Sequence, residues 1–116
     1  MTAIVKPEND LVPKSFLVIR ATVADSSQRA AFDAWYRREH LPDAIRTFGA
    51  EKGWRFWSET DPAVHQATYQ FADRAALDRA IAPDNFKPLV DEFDRAFPGV
   101  PRTREVLTLV DERDGV

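Results

Sequence analysis

Residues 50–72 read AEKGWRFWSETDPAVHQATYQFA. Two alternating stretches, 50–60 and 64–72, flank the turn Asp61-Pro62-Ala63, and strands joined by so short a turn form a hairpin. In the first, Trp54, Phe56 and Ser58 alternate with Arg55, Trp57 and Glu59. In the second, His65, Ala67, Tyr69 and Phe71 alternate with Val64, Gln66, Thr68 and Gln70. On either side of this hairpin the chain shows the same pair of elements, a helical stretch next to it and a strand beyond.

Towards the N-terminus, Ser26 or Ser27 is the expected cap of a helix through QRAAFDAWYRREH (28–40). Phe32, Trp35, Tyr36 and Glu39 or His40 share one face of it. Pro42 lacks an N–H and disfavours helical geometry at Leu41, so the helix is expected to end or kink there. A short second piece then starts at Pro42, a favoured first helical residue, and closes on Gly49. Before it, SFLVIRATV (15–23) reads as a strand. Towards the C-terminus, Asp73 caps RAALDRAIA, and after a Pro-Asp-Asn break the residues Phe86, Leu89, Val90, Phe93 and Phe97 form a helical stripe. RTREVLTLVDE (102–112) is the last strand. Residues 1–14 are expected to form an extended arm, 15–111 a single domain and 112–116 a tail.

The order β-α-β-β-α-β is the split βαβ, ferredoxin-like pattern: an α+β domain with a four-stranded antiparallel sheet and helices on one face. Alternation puts Leu17, Ile19, Ala21, Trp54, Phe56, His65, Ala67, Tyr69, Phe71, Leu107 and Leu109 under the helices. The other face then carries Phe16, Val18, Arg20, Arg55, Trp57, Gln66, Gln70, Arg104 and Val106. That mixture is too apolar for open solvent and too polar for a sealed core. A homodimer packing sheet against sheet satisfies both conditions.

Composition narrows the function classes. The 116 residues are 44% hydrophobic and 30% charged with a net charge of -3, and no basic stripe suits a nucleic-acid backbone. The absence of cysteine removes disulfides, thiolate metal sites and cysteine nucleophiles. No apolar run is long enough to span a bilayer, the opening MTAIVKPEND lacks the apolar core of a signal peptide, and a cytoplasmic location is expected.

With the helix pattern goes an aromatic-x-x-x-His-x-Pro motif at Tyr36, His40 and Pro42, followed by the aromatic hairpin. On these features, over roughly residues 15–111, the chain resembles the dimeric α+β barrel superfamily, and within it the small EthD-like proteins. The resemblance implies a cleft between sheet and helices for a small apolar or aromatic molecule. It also implies either a cofactor-independent oxygenase or isomerase, or a non-catalytic ligand-binding or stress-associated module. His40 matches the histidine that borders the cleft.

Read from the residues, His40 is the candidate general base, since imidazole titrates near neutrality; it can equally serve the carbonyls freed by Pro42. Tyr36, Trp54, Phe56, His65, Tyr69 and Phe93 are the candidate substrate-binding residues, and Ala21 and Ala67 are small enough to leave a hollow among them. His65, near the start of its strand, is expected closer to the surface than a catalytic group. A dimerisation scaffold with no cavity is the third reading. No metal-ligand spacing joins the two histidines, and no cofactor is expected.

Overall fold

The computed structural model describes residues 12–115. Its elements are β1 (Ser15–Thr22), α1 (Arg29–Trp35), a π turn (Tyr36–His40), α2 (Leu41–Phe48), β2 (Lys52–Trp57), β3 (Val64–Phe71), α3 (Arg74–Ala80), α4 (Pro83–Ala96) and β4 (Arg102–Thr108). The strands form one antiparallel sheet in the order β2-β3-β1-β4. This is the α+β, ferredoxin-like architecture, with the core between one sheet face and the helices. Leu17, Ala67, Tyr69 and Phe71 from the sheet meet Phe32, Tyr36, Leu77 and Phe93 from the helices there. Most of the expected arm lies outside the described residues; at its end the Lys14 ammonium meets Glu51 Oε1 at 2.9 Å. Among the described residues no helix is long and apolar enough to cross a membrane.

The helix before the hairpin differs from expectation at both ends. The chain enters it through a 3₁₀ turn, Ser26–Gln28, capped by Asp25 rather than by Ser26 or Ser27: its carboxylate accepts from the Ser27 N–H at 2.9 Å, the local turn a short acidic side chain favours. α1 follows from Gln28 with no side-chain cap. At Pro42 the helix does not stop. His40 and Leu41 keep right-handed helical geometry, and the Leu41 N–H donates to the Tyr36 carbonyl, five residues back. The widened turn resolves the proline problem, because a ring that would crowd the carbonyl four residues earlier gains room. It also aligns a face. An α-helix advances slightly more than one turn in four residues and a π turn slightly less, so Tyr36, His40, Ala44 and Phe48 all stay directed inward. Gly49, with φ of 67°, closes α2 as expected.

The phases of the two central strands agree with expectation and those of the two edge strands do not. Trp57 pairs with His65 and Arg55 with Ala67, so Arg55 and Trp57 stand on the helix side. Trp54 and Phe56 stand on the open face, 36% and 50% exposed. In β4, Arg104 pairs with Ile19 and Val106 with Leu17, which turns both to the helix side, Val106 half-buried and Arg104 exposed at the sheet edge, and leaves Leu107 outside. Of the residues expected on the open face, Phe16, Val18, Arg20, Gln66 and Gln70 are there, and Arg55, Trp57, Arg104 and Val106 are not. β2 has an aromatic side chain in each phase, so alternation could not choose between them. In β4 the inward arginines lie along aromatic rings, Arg102 at 3.9 Å from the Phe93 centroid and Arg104 at 4.8 Å from Phe86, covering apolar surface with their stems.

Candidate functional site

A cleft of about 190 Å³ opens between the sheet and the helices. Tyr36, His40, Ala44 and Phe48 form the wall given by the π turn and α2; Phe86, Leu89, Val90 and Phe93 form the wall given by α4. Ile19 and Tyr69 make the floor, and Arg102, Thr103 and Arg104 close the β4 side. The hollow is not over the two alanines. Ala21 and Ala67 are sealed within the core, and the space lies further towards β4.

His40 is 6% exposed and wedged between aromatic rings. Trp35 stacks on it at 4.5 Å, Tyr36 meets it edge-on at 4.8 Å, and Phe93 at 5.8 Å. Its Nδ1 is sealed and makes no hydrogen bond; Glu92 Oε1 stands 3.5 Å away, beyond hydrogen-bond range. With Nδ1 sealed, Nε2 is the ring nitrogen left to serve the cleft. Burial pushes the imidazole pKa down to about 4, partly countered by the Asp43 carboxylate, so the ring is neutral at pH 7. Glu92 is raised above the usual carboxylate range by burial and by the neighbouring Asp43.

The two tyrosines are also held neutral. Burial pushes Tyr36 up to about 12, and Tyr69 is also raised well above its usual value, by burial and by the neighbouring Tyr36. Both rings line the cleft, as does Phe93.

The remaining candidates fall elsewhere. Trp54 and Phe56 lie across the sheet from the cleft. His65, expected close to the surface, is 1% exposed, yet it does not line the cleft either. It packs 4.5 Å from the Tyr36 ring and 5.1 Å from Phe32, and its Nε2 accepts from Arg55 Nη1 at 3.2 Å. The same guanidinium donates to Asp33 Oδ1 at 3.0 Å, and the Trp57 indole N–H donates to that oxygen at 2.8 Å. Burial and the Arg55 charge lower His65 to about 4. It is a buried structural acceptor that ties β2 and β3 to α1. Residue-level reading missed Arg102, Arg104 and Glu92. The first two followed from the wrong phase of β4, and Glu92 sits between Val90 and Phe93 in a stretch read only for its apolar stripe.

No family model matches the chain, and no curated protein is significantly similar to it in sequence. Solved structures do match. A variant of SnoaB, a cofactor-independent oxygenase from Streptomyces nogalater, superposes with a TM-score of 0.65 at 20% identity, over 85% of this chain and 95% of that one. A dimeric ferredoxin-like protein from an uncultured marine organism gives 0.67 at 19%, over 87% and 99%. An ethyl tert-butyl ether D (EthD) family protein from Bacillus halodurans gives 0.66 at 18%, over 84% and 99%. At these identities the likeness is one of fold: this chain has the ferredoxin-like α+β fold.

Proposed function

We propose that the chain forms a homodimer through its open sheet face and binds a small, flat, largely apolar molecule in the cleft, acting as a cofactor-independent oxygenase or isomerase with His40 as general base. The observation that carries the reading is His40 itself: a neutral imidazole on the cleft wall, its Nδ1 sealed and facing a carboxylate. In the reaction, Nε2 takes a proton from an acidic carbon of the ligand. The Nδ1–H then turns to Glu92, whose charge, with that of Asp43, stabilises the imidazolium. Tyr36 and Tyr69 stay protonated and donate to the oxygen on which the ligand's charge collects. Return of the proton to another carbon completes an isomerisation. Attack of the carbanion on dioxygen and loss of water turn a CH₂ into a carbonyl, with dioxygen as the oxidant. The fold match to a cofactor-independent oxygenase supports this reading.

One observation favours a second reading. A pKa near 4 makes His40 a weak base, which suits a binding module using the same cleft. Deuterium uptake by β-tetralone in D₂O, followed by NMR, separates the two. Acceleration by the wild type, lost by about a hundredfold in a folded His40→Gln variant, is the expected result. Unchanged uptake in that variant removes His40 as the base, and no acceleration by the wild type leaves binding alone.

A further inference from the structure

The charge around the cleft is one-sided. His40, Tyr36 and Tyr69 are all neutral at pH 7, and no carboxylate lines the space; Glu92 meets His40 only at the sealed Nδ1. The formal charges on the lining are the two cations of β4, Arg102 and Arg104. They are not equivalent. Arg102 forms an ion pair with Asp94 and lies over Phe93, so its charge is already answered. Arg104 has neither hydrogen bond nor ion pair among the described residues. Its guanidinium rests 4.8 Å from the Phe86 ring centroid, another cleft residue. The neighbouring acid in sequence, Glu105, points to the opposite face and pairs with Arg20.

A guanidinium beside an apolar slot is matched by a molecule with one flat apolar end and one anionic end, because the planar fork takes a carboxylate or enolate through two parallel hydrogen bonds. The slot is not large. About 190 Å³ compares with the ~150 Å³ apolar cavity that holds a benzene molecule, so one or two fused rings is the appropriate size.

We infer that the cleft selects anionic aromatic molecules of one or two rings, with the negative group held by Arg104 at the β4 side and the rings against Phe48, Phe86 and Leu89. This rests on the cleft being the ligand site, and it adds a substrate class that the His40 chemistry does not specify. An acidic enol or β-keto acid combines both requirements: an anion for Arg104 and an activated carbon for His40.

Calorimetric titration with naphthoate and its neutral isostere naphthamide tests the assignment in wild type, Arg104→Gln and Arg102→Gln. Wild type is expected to bind naphthoate about tenfold more tightly than naphthamide. Arg104→Gln should abolish that preference, naphthoate affinity falling to that of naphthamide, with the fold retained by circular dichroism. Arg102→Gln should keep most of the preference. Equal binding of the acid and the amide by wild type overturns the anion selectivity but leaves the cleft as a ligand site. A preference lost only in Arg102→Gln overturns the role of Arg104. If wild type binds neither probe, both the selectivity and the reading of the cleft fail.

Discussion

The indole of Trp35 lies against the imidazole of His40 with ring centroids 4.5 Å apart and planes 19° from parallel. Five residues separate them, and it is the π turn that brings the two rings together on the inner side of the helix. Packed there, His40 cannot take up a proton without carrying a charge into an aromatic enclosure.

Acid sensitivity follows. An unfolded imidazole binds a proton near pH 6.5, whereas His40 and His65 in the fold do so only near pH 4. Between those values the unfolded chain holds more protons, so stability is fully present above about pH 6.5 and is lost as pH falls towards 4. Each histidine contributes roughly 3 kcal/mol at most to that loss. Urea unfolding across this range checks it, with His65→Gln reducing the slope. A flat profile between the two values contradicts the burial of both rings.

Glu92 separates a positioning role from a structural one. Its carboxylate is disfavoured where it stands, by burial and by Asp43 and Glu39. Glu92→Gln should therefore leave thermal stability unchanged or slightly raised, while proton transfer at His40 falls about tenfold to a hundredfold with ligand affinity unaltered. Loss of stability and activity together would mark Glu92 as a structural residue.

Gly53 sets how closely α2 approaches β2. A Cβ added there would stand 2.8 Å from Ile45 Cδ1, 3.0 Å from Cγ1 and 3.3 Å from Leu41 Cδ1. Gly53→Ala should cost about 1–3 kcal/mol, read as a lowered melting temperature, because the Ile45 side chain has to turn aside and α2 shift outward with it. The same shift carries Ala44 and Phe48 away from the cleft, so ligand affinity should fall with stability. An unchanged melting temperature would mean that the Ile45 side chain turns aside without cost.

The open sheet face carries Phe56 and Leu107, 50% and 42% exposed, with Phe16 against Trp54 at 6.4 Å. Phe56→Glu places a charge within the proposed dimer contact. It should shift the protein from dimer to monomer in sedimentation or light scattering, with the fold retained by circular dichroism. A persistent dimer would move the interface elsewhere.

How far the site was readable in the sequence depended on position in the sheet. His40, Tyr36, Tyr69 and Phe93 were legible because helical spacing and a clean alternation in β3 place them without knowledge of neighbours. Trp54 and Phe56 were misplaced because each phase of β2 holds a bulky aromatic, and only pairing with β3 ranks them. Arg102 and Arg104 were missed because arginine reads as solvent-facing until a long stem is seen lying on Phe93 and Phe86.

By itself, the sequence determined the order of elements, the hairpin, the phases of β1 and β3, and the inward stripe of α4. These are local properties: period, turn chemistry and caps act between residues a few positions apart. The tertiary structure decided the phases of the edge strands, the passage of the helix through Pro42, and the side on which the cleft opens. The edge-strand phases and the cleft turn on pairings that no local period announces, and the passage through Pro42 turns on a π turn whose packing only the folded helix reveals. Hairpin register sets Trp57 against His65 and brings Arg55, on the diagonal, to its Nε2, the sheet turns Arg104 towards Phe86, and a π turn satisfies Pro42 while packing His40 on Trp35.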